Sequence, residues 1–162
     1  MESMAVGFEI REPDRKQLYA VAVLAKKFFP YTHLSFTDVE ARVKKDLKYL
    51  VARAGGQTIG YVDFSIAAGG EGAKTGKIWG LAVVEEWRGK GVGRALLSRA
   101  VGEIKNAGAE RIEMLTTTDN AAALRLYEKF GFSYAGHYEK TLPGKEVIIM
   151  AKEIKQTRKQ EK

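Results

Sequence analysis

The stretch IWGLAVVEEWRGKGVGR, residues 78–94, decides the fold of this 162-residue chain. Its first seven residues are apolar or glycine, which is typical of a buried strand. Glycines at 89, 91 and 93 follow, directly before a segment whose apolar residues recur at helical spacing. The stretch therefore predicts a strand, a glycine-rich loop and a helix in succession.

A glycine-rich loop at a helix N-terminus predicts an anion site. Glycine lets the backbone approach a ligand closely, and the amides of a first helical turn have no acceptor within the helix. The positive end of the helix dipole adds to these amides, so the loop suits a pyrophosphate. Arg88, Lys90 and Arg94 supply further positive charge. The alternative is that the glycines only shape a tight turn.

Two other phosphate-binding motifs fail at defined positions. A P-loop requires G-x-x-x-x-G-K-[ST], whereas Gly72-Ala73-Lys74-Thr75 has alanine at the second glycine position. A dinucleotide fingerprint requires G-x-G-x-x-G or A. The run from Gly91 ends on Leu96 and the run from Gly89 ends on Arg94, so neither fits.

The rest of the chain alternates helical and strand patterns. Helices are expected after Pro13, after a capping box at 37–40, after the glycine loop and after Asp119. Strands are expected over 6–11, 49–54, 58–67, 77–84, 111–116, 133–138 and 146–154, the last two around Pro143-Gly144. A glycine-rich link is expected over 68–76, before the strand that begins at 77, and the chain has no internal repeat and no linker between domains. We therefore expect one α/β domain over 1–154, followed by a basic tail over 155–162.

Composition excludes several classes of function. The chain has no cysteine, which rules out a thiol nucleophile, a CxxC redox pair and a Cys-ligated zinc. With only two histidines, we expect no metal site. The apolar runs are short and the N-terminal segment is charged, so we expect no membrane partner and a cytoplasmic location.

The net charge of +7 calls for an acidic partner. Nucleic acid is not the favoured one, because the basic tail lacks interleaved aromatic residues and no recognition motif appears. A solvated chain end is the favoured interpretation of the tail itself.

Residues on both sides of the glycine loop resemble the GNAT N-acetyltransferases. Arg88-x-x-Gly91-x-Gly93, preceded by Leu81-Ala82-Val83, resembles that family's acetyl-CoA-binding motif. Asn120-x-x-Ala123-x-x-Leu126-Tyr127-x-x-x-Gly131-Phe132 resembles its second hallmark. The resemblance implies a single domain with a central mixed, mostly antiparallel sheet of about six to seven strands, flanked by about four helices.

The resemblance also implies site residues. Backbone groups of Leu81 and Val83 would hold the pantetheine arm, loop amides the pyrophosphate, and Asn120 the arm from the other side. Tyr127 would be the general acid that serves the departing thiolate. The implied cofactor-binding set is Leu81, Ala82, Val83, Arg88, Gly89, Lys90, Gly91, Val92, Gly93, Arg94, Asn120 and Tyr127. Asn120 can instead be a helix cap, and Tyr127 a core residue.

The implied function is acetyl transfer from acetyl-CoA to a primary amine by direct attack. The acceptor is either a protein N-terminus or a small amine, and Tyr31, His33 and Tyr138 are the candidate acceptor-binding residues. The ending Glu146–Met150 resembles the subgroup that acetylates protein N-termini, including ribosomal proteins, but the tyrosine pair frequent there is single here, at Tyr138. Homodimer formation stays open.

The general base is where the chain departs from the family. Many members carry a glutamate on the strand before the loop, and residues 75–80 contain no acid. Asp63 and Glu113 are strand acids that can substitute or can simply face solvent, and a chain of waters can also take the proton. No base is assigned. The missing glutamate makes a catalytically weak CoA-binding module the alternative function, ahead of a nucleic-acid-binding protein.

Overall fold

The structure is a computed structural model, and it describes residues 7–30, 35–69, 72–138 and 145–154. Within those residues it contains four α-helices: α1 (Arg15–Phe28), α2 (Phe36–Lys44), α3 (Val92–Asn106) and α4 (Ala121–Lys129). Its strands are β1 (Glu9–Arg11), β2 (Lys48–Ala54), β3 (Gln57–Ala68), β4 (Lys74–Val83), β5 (Ala109–Thr117), β6 (Ser133–His137) and β7 (Val147–Glu153). The strands belong to one sheet, in the order β1-β2-β3-β4-β5-β7-β6. The predicted α/β fold is confirmed.

The chain divides into two compact units. One comprises Met1–Ser65 with Ile78–Ala100, and the other comprises Ile66–Lys77 with Val101–Lys162. In the first unit β2 pairs antiparallel with β1 and β3, so that Leu50 lies opposite Val62. Helices α1 and α2 contribute apolar side chains to a core that also contains Tyr49 and Tyr61.

The cap of α2 differs from the predicted one. The N-cap is Ser35, whose Oγ accepts from the Asp38 amide at 3.2 Å, while Asp38 accepts from the Ser35 amide at 2.9 Å. The predicted box at Thr37 is wrong because Thr37 already lies inside the helix. Both segments match the capping-box pattern, and only the extended backbone at Ser35 decides between them.

Strand β4 begins at Lys74, three residues before the predicted start. A Cβ placed on Gly76 would lie 2.3 Å from Cγ2 of Ile104, so α3 packs directly on the strand backbone there. Gly76 therefore belongs to the strand rather than to the predicted glycine-rich link, because only glycine leaves room for the helix.

In the second unit β7 pairs antiparallel with both β5 and β6, and Met150 lies opposite Met114 and Tyr134. The sequence also offers Asp119 as a cap for α4, but the structure has Asn120 in that role. Asp119 instead accepts from Oγ1 of Thr117 at 2.6 Å. The predicted turn at Pro143-Gly144 and the tail over 155–162 lie outside the described residues.

In the part of the chain that the structure describes, no helix is both long and apolar enough to span a membrane. Those same residues also contain no group of three or more His, Asp or Glu side chains placed to hold a metal ion.

Candidate active site

The glycine loop joins the end of β4 to the start of α3 through a 3-10 turn, Glu85–Trp87. Gly89 and Gly91 have φ angles of +75° and +88°, which L side chains rarely adopt. A Cβ at either position would meet no atom within 4 Å. The backbone conformation therefore requires glycine here, and the space beside the loop is open to a ligand.

The loop ends where α3 begins to form hydrogen bonds. The Gly91 carbonyl accepts from the Ala95 amide at 3.0 Å, so the amides of Val92, Gly93 and Arg94 belong to the first turn and have no acceptor within the helix. The Val92 side chain is buried, which leaves only its backbone amide for a ligand. This is the arrangement that a phosphate needs.

The basic residues of the loop are partly engaged in holding it. Nε of Arg88 donates to the carbonyl of Val83 at 3.2 Å, and its guanidinium lies 5.4 Å from the ring centre of Phe28. Nζ of Lys90 lies 5.1 Å from the Trp87 ring. Arg88, Lys90 and Arg94 are all exposed. Their charges therefore remain available to a polyanion while the loop is fastened to the end of β4.

The strand residues predicted to hold the pantetheine arm come directly before this loop. Leu81 and Val83 are half-buried, and Ala82 turns its side chain into the core that α1 and α2 cover. The two residues predicted to hold the arm through their backbone groups thus lie on either side of Ala82, whose side chain is buried.

The buried carboxylate of Asp63 lies beside Gly80, the β4 residue that directly precedes Leu81. The Asp63 side chain is 4% exposed, and its Oδ2 lies 3.7 Å from Nη1 of Arg42. Its Oδ1 has no hydrogen bond and lies 2.9 Å from where a Cβ on Gly80 would stand. Burial raises the pKa of Asp63 to about 7, while Arg42 and the backbone amides of Asp63 and Gly80 favour the ionised form. Sequence alone left open whether Asp63 faces solvent, and it does not.

Two tyrosines surround this carboxylate. The Tyr49 hydroxyl is buried without a hydrogen bond of good geometry, and its pKa is raised to about 12 by burial and then by the charge of Asp63. The Tyr61 ring lies 6.2 Å from the Tyr49 ring. We call Arg42, Tyr49, Tyr61, Asp63 and Gly80 the Asp63 cluster. Sequence reasoning missed it, although Gly80 inside a strand was a signal for close approach of another group.

Glu113, the other strand acid, is engaged elsewhere. Its carboxylate accepts from Nε of Arg111 at 3.0 Å, and Arg111 also bonds Glu153. The ion pair raises the pKa of Arg111, and the Glu113 side chain is 25% exposed. Glu113 is thus a half-buried partner of an arginine.

In the second unit, Tyr127 is 7% exposed and burial raises its pKa to about 12. Its phenol therefore keeps its proton across the physiological range and acts only as a donor or neutral acceptor. Asn120 caps α4 by accepting from the Ala123 amide at 3.2 Å. The cap uses only Oδ1, so it does not consume the two N–H donors of the amide.

Of the candidate acceptor-binding residues, Tyr138 alone lies among the described ones. It is half-buried, and its amide donates to the Val147 carbonyl at 3.0 Å. The neighbouring His137 pairs with Glu146 at 2.9 Å. Tyr31 and His33 lie outside the described residues.

The chain was then compared with known proteins. The model of the acetyltransferase (GNAT) family matches residues 15–132, more than two thirds of the chain. The chain belongs to the GNAT family of acetyltransferases. The match covers the glycine loop, Asp63 and Tyr127, so the acetyltransferase carries its candidate site within the family's core region.

Solved structures agree with this acetyltransferase in fold. The Salmonella typhimurium protein yncA, determined with its cofactor acetyl-CoA, is 21% identical, with a TM-score of 0.75 over 93% of this chain and 96% of that one. Ribosomal-protein-alanine N-acetyltransferase from Brucella melitensis is 20% identical, with a TM-score of 0.76 over 90% and 99%. Arabidopsis thaliana NAA60, in complex with a bisubstrate analogue, is 18% identical, with a TM-score of 0.78 over 93% and 99%.

As a GNAT acetyltransferase, the protein uses acetyl-CoA as its co-substrate. The open glycine loop, the first-turn amides of α3 and the exposed cations fit the phosphates of that molecule.

Proposed function

We propose that this acetyltransferase moves the acetyl group from acetyl-CoA to a primary amine, either a protein N-terminus or a small amine, by direct attack in a ternary complex. The observation that carries the proposal is the conformation of the glycine loop, whose left-handed glycines leave the first-turn amides of α3 open to a phosphate. A chain without cysteine cannot form an acetyl-cysteine intermediate, which favours direct transfer.

The proposed binding roles follow the loop and strand. Amides from Gly89 to Arg94 bind the pyrophosphate, with the charges of Arg88, Lys90 and Arg94 around it. Backbone groups of Leu81 and Val83, on either side of the buried Ala82, hold the pantetheine arm, and Asn120 donates to it. Tyr31, His33 and Tyr138 are proposed to contact the acceptor.

The reaction requires two proton movements. An ammonium must lose one proton before its nitrogen lone pair can attack the thioester carbon. A C–N bond then forms, the C–S bond breaks with its electron pair leaving on sulfur, and the second proton lost by the nitrogen passes to the thiolate or to solvent, so that the products are the amide and free CoA. We propose that Tyr127 donates a hydrogen bond to the departing sulfur. A phenol with a pKa of about 12 suits this role, because it stays protonated until the thiolate forms.

The test is an acceptor screen that follows release of free CoA. The panel contains N-terminal peptides, lysine peptides, polyamines and aminoglycosides. Wild type is expected to turn over at least one class, and Tyr127→Phe is expected to lower kcat on that acceptor by about 100-fold with little change in acetyl-CoA affinity. The matched control is Tyr19→Phe, because Tyr19 is 59% exposed on α1.

Tight acetyl-CoA binding without turnover on the whole panel would establish the alternative, a CoA-binding module. Equal kcat for wild type and Tyr127→Phe would remove Tyr127 from the mechanism while leaving the activity in place.

A further inference from the structure

The Asp63 cluster contains two buried polar atoms without a hydrogen bond of good geometry. These are Oδ1 of Asp63 and the hydroxyl oxygen of Tyr49. Buried polar atoms are nearly always paired in native proteins, because an unpaired one has given up its hydrogen bonds to water without replacing them. Two such atoms in one cluster mark a place where the fold keeps an unfavourable arrangement, and such places are commonly functional.

The backbone amides of Asp63 and Gly80 favour the ionised carboxylate, but Arg42 compensates its charge only weakly. Arg42 approaches one oxygen, Oδ2, at 3.7 Å, which is too long for a hydrogen bond, and the Arg42 side chain is 41% exposed. The other groups facing Asp63 are the Tyr49 phenol from β2, Tyr61 from its own strand and the Gly80 backbone from β4. A structural buried ion pair normally has close, well-oriented hydrogen bonds. This one leaves Oδ1 able to accept a proton.

Oδ1 of Asp63 lies beside the strand that is proposed to hold the thioester. It occupies the space that a Gly80 side chain would fill, one residue before the proposed donor stretch that begins at Leu81. Phe29, the C-cap of α1, lies 3.7 Å from the same point. Asp63 therefore lies directly beside the strand proposed to hold the thioester, near the C-terminal end of α1.

We propose that Asp63 accepts the proton that the acceptor ammonium loses before attack, through one intervening water or hydroxyl. This inference rests on the proposed function and assigns the base that the sequence of β4 lacks. The N–H bond breaks, its electron pair stays on nitrogen for attack on the thioester carbon, and the proton forms an O–H bond on Oδ1. After transfer the proton passes to solvent, so no further reactant is needed.

The affinity of Asp63 for a proton is suited to this step. Its pKa of about 7 leaves much of the carboxylate ionised at neutral pH, and it lies far closer to the pKa of an amine than that of an ordinary carboxylate does. Lower pH is expected to protonate Asp63 and to stop transfer, so kcat/KM rises with pH to a plateau above about pH 7.

The experiment compares Asp63→Asn with wild type on the acceptor that the screen identifies. Asn keeps the shape of the side chain and removes the proton acceptor. We expect kcat/KM at pH 8 to fall by about 100-fold or more, the rise with pH to disappear, and the Kd for acetyl-CoA to stay within about twofold. Asp46→Asn is the matched control, because Asp46 is exposed and Asn tolerates its φ of +71°.

A second variant keeps the proposal testable through the pH profile alone. Arg42→Gln removes the charge that favours ionised Asp63, so the rise of kcat/KM is expected to move to higher pH. An unmoved profile in Arg42→Gln, or an Asp63→Asn enzyme that keeps its pH dependence or more than a third of its rate, would overturn the role of Asp63. Wild type without transfer to any acceptor would instead overturn the proposed function, and the role of Asp63 with it.

Discussion

The glycine loop and the Asp63 cluster lie at successive points beside β4 but are built in opposite ways. The loop is one contiguous, exposed segment, and its charges lie at the surface on Arg88, Lys90 and Arg94. The Asp63 cluster has a buried centre of Tyr49, Tyr61 and Asp63, and its members come from α2, β2, β3 and β4. One region offers backbone amides to a ligand, and the other holds a single carboxylate out of water.

In the proposed mechanism, this difference separates the binding of acetyl-CoA, at the loop, from proton transfer, at Asp63. Exposed charges attract a polyanion over a distance but are screened by salt. A buried carboxylate is hardly screened, and its altered proton affinity costs the fold stability. The loop should therefore respond to ionic strength, and the Asp63 cluster to pH.

The largest expected effect concerns stability as a function of pH. Folded Asp63 keeps its proton up to about pH 7, whereas the unfolded chain releases it near pH 4, so the folded state binds more protons between these values. Its contribution to the free energy of unfolding is then fully present below about pH 4 and lost as pH rises to about 7, by up to about 4 kcal/mol.

Urea unfolding of wild type and Asp63→Asn at a series of pH values checks this. As pH rises, wild type is expected to lose free energy of unfolding relative to Asp63→Asn, and the difference between the two is expected to level off above about pH 7. Asp46→Asn is expected to keep the wild-type slope. A constant difference between Asp63→Asn and wild type would contradict the raised pKa.

The next effect tests the loop through its backbone. Gly91→Ala forces a side chain into a left-handed conformation and is expected to cost about 1–2 kcal/mol in unfolding free energy and to weaken acetyl-CoA binding. Gly102→Ala, within α3 and also in open space, is expected to stabilise the protein by about 0.5–1 kcal/mol with binding unchanged. Thermal unfolding and equilibrium binding of acetyl-CoA measure both. Unchanged acetyl-CoA affinity in Gly91→Ala would remove the loop backbone from the site.

The smallest expected effect tests the loop through its charge. Lys90→Gln is expected to weaken acetyl-CoA binding about two- to fivefold at low salt and hardly at all at 1 M salt, where charges are screened within about 3 Å. Lys16→Gln, on the exposed face of α1, is the control. The kcat/KM deficit of Asp63→Asn is expected to persist at 1 M salt. If the defects of Lys90→Gln and Asp63→Asn were equally sensitive to salt, the distinction between the glycine loop and the Asp63 cluster would be contradicted.

The loop was predictable from the sequence because its residues are contiguous. The spacing of glycines and cations in residues 88–94 predicts a strand, a loop and a helix with an anion site at the loop, and the structure has the strand, the loop and the helix in that order. Tyr127 and Asn120 lie in a second contiguous motif. For Asn120 the sequence could not decide between cap and ligand, because the same amide side chain serves both.

The Asp63 cluster was not predictable in the same way. Burial of Asp63 depends on Arg42, Tyr49 and Gly80, which lie far from it in sequence, and an alternating strand pattern allows an acid to face either side. The sequence also predicts the start of β4 three residues too late, because the contact that decides it joins residues far apart in the chain. The sequence assigns Gly76 to a glycine-rich link, and only the packing of Ile104 explains its place in the strand.

Direct transfer in a ternary complex is tested most directly by intact-protein mass spectrometry of the enzyme mixed with acetyl-CoA, with and without the identified acceptor. We predict an unchanged protein mass without acceptor and, with acceptor, acetylated amine formed in step with free CoA. An acetyl adduct on the protein that passes to acceptor added later would contradict direct attack.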